Sequence, residues 1–193
     1  IAFSTHTYEQ VWHLVKHRDH KVHLAVPQLL NWIKSLDLQQ DGIDSHYPFM
    51  LIAGQRRWYN ANQIIRTPAW RKDDVDGALH IHPDDLASLN VTENGWIAVA
   101  TRTGRIVVRA HADDSLRRGV VALPHGYGQA YPVGEERLTI GPRLNLLTAS
   151  NDCDPIAATP YHKNVAVRLT PLDKAQAAEA EAAAARVRTM MAA

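Results

Sequence analysis

Short apolar runs, each ended by a turn signal, follow one another between residues 48 and 169 and constrain the fold more than any other feature. Such runs are too short to form independent helices, but they have the length of a buried strand. A hairpin is predicted where Thr103-Gly104 joins two of them. The runs predict strands at residues 49–52, 96–100, 105–109, 119–123 and 165–169.

A short helix is predicted at residues 82–89, between these strands. Pro83 stands at its first turn, where a missing N–H is tolerated. Asp84 and Asp85 lie where the positive end of a helix favours acids. Asn94-Gly95 then turns the chain into the next strand. This order of strand, loop, short helix and hairpin predicts a mainly β fold, a compact barrel with long connecting loops.

Helical patterns flank the predicted barrel on both sides. Residues 1–38 read as helical, with apolar residues at helical spacing from Tyr8 to Val15 and a second short helix beginning at Pro27. The tail from Asp173 is rich in Ala and Glu, which predicts an exposed or frayed terminal helix. We therefore expect a helical segment at 1–47, a barrel at 48–170 and a helical tail at 171–193.

The composition limits the classes of partner. Its 21 basic and 20 acidic residues nearly cancel, and no apolar run is long enough to span a bilayer. We therefore expect neither nucleic acid nor a membrane as a partner, and a cytoplasmic location. The single Cys153 excludes an internal disulfide and a thiolate metal cage. Because the chain begins with Ile1 rather than Met, we expect an excerpt from a longer protein.

Signals for catalysis are weak. The serines lie in no nucleophile-elbow context, and no Gly-x-x-x-x-Gly-Lys pattern for phosphates occurs. His13 and His17 share a helical face with His20 following, a spacing that suits metal ligands. However, no carboxylate or cysteine completes a ligand set, and Lys16 and Arg18 would repel a cation. A solvated helix face is therefore the preferred interpretation.

Three loops carry the polar groups that favour ligand binding. Residues 54–62 follow a strand and combine a glycine with arginines and asparagines, although a surface loop explains them equally well. Residues 125–128, His-Gly-Tyr-Gly, could lie against a flat ring, and alone they are better explained as a tight turn. Residues 145–163 place amides, a carboxylate, a histidine and a lysine before the last strand. Together the loops favour the binding of a polar ligand over its chemical conversion.

Taken in order, these pieces resemble the C-terminal, molybdopterin-dinucleotide-binding domain of the molybdopterin oxidoreductases, the dimethyl sulfoxide reductase and formate dehydrogenase group. The resemblance covers most of residues 48–170, and Thr159-Pro-Tyr-His-Lys163 before the final strand is its most specific piece. Further matching pieces are Leu51–Gly54, Gly77–Leu86, Asn94–Gly104 and Arg118–Val121.

The resemblance implies a double-psi β-barrel of the aspartate-decarboxylase-like kind that binds the guanine dinucleotide form of the pterin cofactor. Related enzymes hold two such cofactors, a bis-molybdopterin guanine dinucleotide, around one molybdenum or tungsten. Their metal ligand and iron–sulfur cysteines lie in preceding domains of the same polypeptide, which are the expected partners, so the isolated chain is expected to be inactive. Departures at Gln55, Asn60 and Asn62 leave open which half of the cofactor each loop touches. The residues that the resemblance assigns to cofactor binding are Gly54, Gln55, Arg56, Arg57, Asn60, Asn62, His125, Gly126, Tyr127, Gly128, Asn145, Asp154, His162 and Lys163.

Two other functions stay open at this point. A stand-alone β-barrel could serve as an interaction module without a cofactor, with the terminal helices as contact elements. A self-processing decarboxylase would use the same architecture, but it needs a Gly-Ser cleavage site, and the sequence contains no Gly-Ser dipeptide.

Overall fold

The computed structural model describes residues 5–36, 43–55 and 76–192. It divides the chain into two compact units, Ile1–Leu38 and Gln39–Ala193. The first unit contains helix α1 (Tyr8–Val11), a 3₁₀ turn (Trp12–Leu14) and helix α2 (Pro27–Ser35).

The helix expected to begin at Pro27 is confirmed, but helix is absent between Val15 and Val26. Two backbone features explain the gap. His20 adopts a left-handed φ of 54°. Val26 is extended, as the residue before a proline prefers to be.

The second unit is built mainly of strands, which confirms the predicted fold class. Each strand expected from the sequence is present, within two or three residues of its predicted bounds. The elements are β1 (Phe49–Gln55), β2 (Leu79–Ile81), α3 (Pro83–Ser88), β3 (Trp96–Ala100), β4 (Arg105–Ala112), β5 (Val120–Pro124), β6 (Gln129–Val133), β7 (Glu136–Ile140), β8 (Val165–Pro171) and α4 (Lys174–Ala192).

Six strands close into a barrel in the order β1-β5-β2-β4-β3-β8. The pairs β1–β5 and β2–β4 are parallel. The pairs β1–β8, β2–β5, β3–β4 and β3–β8 are antiparallel. This closed barrel of mixed direction is the predicted double-psi β-barrel. β6 and β7 pair only with each other and form a hairpin outside the ring.

The barrel interior is an aliphatic core. Leu51, Leu79, Ile97, Val121 and Val167 are fully buried, one from each of five strands. Because successive side chains point to opposite sides of a strand, one face of each strand fills the interior. In β3 and β5 the buried residues are consecutive, so the outward face is covered as well. Burying side chains of this size contributes about 1.5–3 kcal/mol each, so the interior holds the ring of strands together.

Helix α3 is connected to the barrel by a buried acid. The His82 ring accepts a hydrogen bond from the backbone N–H of Asp84 and caps the helix. Asp85 is 5% exposed and accepts bonds from the Gly119 N–H (2.6 Å) and from Arg118 Nε (3.3 Å). The sequence predicted a helix-end charge here, but the Asp85 carboxylate also fixes the turn that begins β5.

Helix α4 is attached to the barrel. Most of its side chains are exposed, as predicted. Glu181 of α4 accepts hydrogen bonds from the Trp96 indole (3.1 Å) and from Arg109 (2.7 Å). Arg186 of α4 forms an ion pair with Glu136 of β7 at 2.9 Å. None of the helices in the described residues is long and apolar enough to cross a membrane.

Candidate functional site

Two of the predicted loops and the end of β1, where the third begins, meet at one edge of the barrel. β1 and β5 run parallel, and Gln55 at the end of β1 lies opposite Pro124 at the end of β5. The two strands therefore end at the same edge. The backbone N–H of Ala53 donates to the carbonyl oxygen of His162 at 3.0 Å, which brings the third loop to the same place.

Two histidines contact each other at this edge. The rings of His125 and His162 are 5.4 Å apart between centroids and inclined by 67°. Burial lowers the pKa of His125, and the electrostatic influence of the neighbouring His162 and Lys163 lowers it further. His125 is therefore a neutral ring at pH 7. His162 Nδ1 lies 3.0 Å from the carbonyl oxygen of Pro160, which only accepts, so the proton is assigned to Nδ1.

An open cleft of 410 Å³ lies beside the histidines. Residues 125–129 and 143–146 line it, and these are the segments just before β6 and just after β7. The β6–β7 hairpin therefore brings the predicted His125–Gly128 loop and the predicted Asn145 together. Asn145 is exposed in the cleft wall. The lining residues include Arg143 but no aspartate or glutamate.

The two glycines of the first cleft segment adopt conformations that other residues avoid. Gly126 has a φ of 89° and Gly128 a φ of 74°. A Cβ at Gly128 would lie 2.6 Å from Cγ of Arg143, so the second cleft segment passes directly against it. Both glycines are thus required by the turn, as the simpler interpretation of this motif predicted.

Tyr127, between these glycines, differs from the expectation of a ring that faces a ligand. Its side chain is 7% exposed. The ring packs against the backbone of Gly77 and Gly141. Only its backbone and a small part of its side chain face the cleft.

Asp154 organises its own loop. Its Oδ1 accepts hydrogen bonds from the N–H groups of Ile156 (3.1 Å) and Ala157 (2.7 Å), and its Oδ2 accepts one from Thr159 (2.9 Å). The bonds from Ala157 and Thr159 are the main reason that the pKa of Asp154 lies below its usual range. The carboxylate is therefore ionised at neutral pH and holds the loop that carries His162. Its predicted contact with a ring edge of the ligand stays a prediction.

Of the remaining residues predicted to contact the cofactor, some are described by the structure and the others lie outside the described residues. Lys163 is exposed next to His162. Gly54 and Gln55 end β1 at the barrel edge. Arg56, Arg57, Asn60 and Asn62 lie outside the described residues.

Arg143 is a cleft residue that the sequence interpretation missed. It donates from Nε to the Gly128 carbonyl at 3.3 Å and from a terminal nitrogen to Thr139 Oγ1 at 2.8 Å. The signal was present, because Arg143 follows a strand and the dipeptide Gly141-Pro142, a turn that sends the chain back to the barrel edge.

A second cluster of titratable groups lies on β2 and β4. His80 contacts Asp113 at 2.9 Å and His111 contacts Glu93 at 2.6 Å, and the two rings are 5.0 Å apart. Ser115 and His80 lower the pKa of Asp113 to about 2. Among the described residues no group of three or more His, Cys, Asp or Glu could hold a metal ion.

Comparison with known proteins identifies a family for the barrel residues. Residues 49–166 match the family described as "Molydopterin dinucleotide binding domain". The chain is 28% identical over 88 residues to the alpha chain of the F420-dependent formate dehydrogenase 1 of Methanococcus maripaludis, which covers 45% of this chain and 13% of that protein. It is 26% identical over 81 residues to the putative dimethyl sulfoxide reductase catalytic protein of Halobacterium salinarum, covering 42% of this chain and 10% of that protein.

A solved structure shows the same fold. Acetylene hydratase from Pelobacter acetylenicus superposes with a TM-score of 0.50 and 19% identity, over 65% of this chain and 18% of that one. The chain thus spans less than a fifth of the length of each of these relatives. Since the matched residues make up more than half of the chain, it belongs to the molydopterin dinucleotide binding domain family.

Proposed function

We propose that this chain is the C-terminal cofactor-binding domain of a larger molybdenum- or tungsten-dependent oxidoreductase. The observation that carries the proposal is the meeting of the His125–Gly128 and Asn145–Lys163 loops with the end of β1 at one barrel edge, beside a cleft whose described lining residues include no carboxylate. In this proposal, the preceding domains of the same polypeptide supply the metal ligand and an iron–sulfur cluster. A pair of guanine dinucleotide cofactors would lie between those domains and this barrel.

The chemistry of the cleft fits part of such a cofactor. The dinucleotide carries a negative diphosphate and two flat heterocycles rich in ring nitrogens. The guanidinium of Arg143 and the ammonium of Lys163 attract a diphosphate, and the lining residues include no acid to repel it. A volume of 410 Å³ suits one portion of the cofactor rather than the whole.

Each polar residue of the site has a role that its geometry allows. The Asn145 amide offers both donors and acceptors to a heterocycle edge. Neutral His125 lies against the His162 ring. His162 is fixed through its Nδ1, and this directs Nε2 away from the Pro160 carbonyl.

When bound, the cofactor supplies the metal-centred redox chemistry, and this chain supplies binding and orientation. The described residues offer hydrogen bonds and positive charge but no candidate nucleophile beside the cleft. The barrel therefore contributes to turnover by holding the pterin system in place and by excluding water from one side of it.

Cofactor content of the complete protein tests this proposal. We expect Asn145→Ala and Lys163→Ala each to lower the content of molybdenum or tungsten and of released guanine nucleotide, measured per polypeptide by mass spectrometry. One lost hydrogen bond or charge contact corresponds to roughly five- to tenfold weaker binding. Asn145→Asp should lower the content further, because it adds a negative charge to a cleft without one.

Lys174→Ala is the matched control, since Lys174 begins α4 and belongs to none of the predicted binding loops. Metal and guanine contents that stay at the wild-type level in all the Asn145 and Lys163 variants would contradict the assigned site.

A further inference from the structure

The side chain of Tyr127 occupies a slot that only glycines can form. Gly77 and Gly141 have φ values of 71° and 78°. A Cβ at Gly77 would lie 2.8 Å from Cγ and Cδ1 of the tyrosine ring, and one at Gly141 would lie 2.6 Å from Cδ1. Such distances are shorter than real contacts allow, so the ring fits against bare backbone on both sides.

The slot lies directly behind the cleft. Tyr127 belongs to the first cleft segment, and Gly141 leads into the second. The N–H of Gly128 donates to the Ile140 carbonyl at 2.7 Å, which joins the two segments next to the ring. The position of the Tyr127 ring therefore determines the separation of the two cleft walls.

Ion pairs connect this slot to helix α4. Asp76, which precedes Gly77, contacts Arg109 of β4 at 3.7 Å and Arg188 of α4 at 3.5 Å. Both arginines also bond to Glu181 of α4 at 2.7 Å. The Asp76 carbonyl oxygen would lie 2.8 Å from a Cβ at Gly141, so the backbone of residue 76 touches the far side of the slot as well.

We infer that Tyr127 is a positioning residue of the cofactor cleft and that α4 holds it in place through Asp76. The inference rests on the proposed function, because it assigns to the cleft the ligand proposed above. In this arrangement the Gly77–Tyr127–Gly141 slot fixes the spacing of the cleft walls. The C-terminal helix, outside the residues matched by the family, stabilises the slot from behind.

Amide hydrogen exchange on the full 193-residue chain tests the slot without any ligand. Gly77→Ala forces the Tyr127 ring out, and we expect the Gly128 amide to exchange about tenfold faster or more. Arg188→Ala removes only exposed ion pairs and should increase that rate about two- to fivefold. Gly119→Ala is the matched control, because Gly119 has a φ of 77° with nothing within 4 Å of its Cβ position.

Binding of two cofactor fragments, GDP and neopterin, then tests the effect on the cleft. NMR titration of the wild-type chain should shift the amides of residues 125–129 and 143–146 with at least one fragment. We expect Gly77→Ala to weaken that binding about tenfold, in proportion to the faster exchange, and Gly119→Ala to leave it unchanged.

The outcomes separate the two proposals. No shift with either fragment in the wild-type chain would overturn the proposed function, while the exchange data still test the slot. An unchanged Gly128 exchange rate in Gly77→Ala and Arg188→Ala would overturn the positioning role, as would unaltered fragment affinity despite faster exchange. If Gly77→Ala does not fold, the comparison of Arg188→Ala with the control Arg102→Ala decides the question, because Arg102→Ala removes only an ion pair with Asp44 and a contact with the Tyr47 ring, both away from the slot.

Discussion

At the scale of single residues, Asp154 shows that a polar side chain predicted to contact a ligand has a structural role of its own. The sequence placed it in a loop rich in amides and next to the matching Thr-Pro-Tyr-His-Lys motif. Its two oxygens accept three backbone N–H groups of residues 156, 157 and 159. Which amides a carboxylate reaches depends on the path of the loop, and residue types alone do not specify that path.

Asp113 gives a pH-dependent prediction. Its folded pKa of about 2 lies below the ordinary value of 3.8, chiefly because Ser115 and His80 donate to it. A depressed carboxyl pKa contributes stability that is present above pH 3.8 and is lost as the pH falls towards 2. We expect Asp113→Asn to lower the free energy of unfolding by roughly 1–2 kcal/mol at pH 7.

Urea unfolding at a series of pH values measures this effect. The difference between the wild type and Asp113→Asn should shrink below about pH 4 and approach zero near pH 2. Asp114→Asn, which removes the exposed neighbouring carboxylate, is the control and should change little. A difference that stays constant from pH 7 to pH 3 would contradict the assignment.

At the scale of secondary structure, burial explains which strands could be predicted. β3, β5 and β8 contribute buried residues to the interior, and their apolar runs are visible in the sequence. β2 has only three residues. β6 and β7 pair with each other outside the ring, β6 contains Pro132, and neither strand carries a continuous apolar run.

Helix α4 could be predicted from its composition but its contacts could not. Alanine-rich segments form helices because alanine loses little entropy, whatever lies beside them. The attachment depends on Glu181, Arg186 and Arg188, and such charged residues are equally frequent on fully solvated helices. Only the folded chain shows that Arg109 and Glu136 face them.

The interior of the barrel gives a prediction at this scale. Leu123 of β5 is fully buried among the core residues. We expect Leu123→Ala to lower the free energy of unfolding by about 2–5 kcal/mol, since it removes buried methyl groups and leaves a cavity. Leu146→Ala makes the same change at a side chain that is 51% exposed, and it should cost less than about 0.5 kcal/mol. Equal losses in urea unfolding would contradict the assigned core.

At the scale of the whole chain, the site depended on the fold for its assembly. The sequence predicted three separate polar loops, and the resemblance to a family predicted the ligand that they share. The second and third loops meet the end of β1 through the parallel pairing of β1 with β5 and the hydrogen bond between Ala53 and His162. Neither contact leaves a trace in local sequence, because each joins residues more than sixty positions apart.

The division of the chain into two units gives a further prediction. Every residue of the described core cluster lies between Leu51 and Leu169. We therefore expect deletion of residues 1–38 to leave a single cooperative thermal transition, with the Tm within about 4 °C of the wild-type value. Deletion of residues 165–193, which removes β8 and α4, should abolish the transition. Loss of cooperative unfolding in the first deletion would show that the N-terminal unit belongs to the same folding unit.

The position of β8 in the ring has a consequence for biosynthesis. β8 pairs with β1 on one side and with β3 on the other, so the last strand to be translated is the one that closes the barrel. A ribosome must therefore deliver the chain at least as far as residue 171, plus the length of its exit tunnel, before the ring can form. Until then the hydrogen bond between Ala53 and the loop that carries His162 cannot form. A pterin that arrives during translation would therefore meet an incomplete binding site.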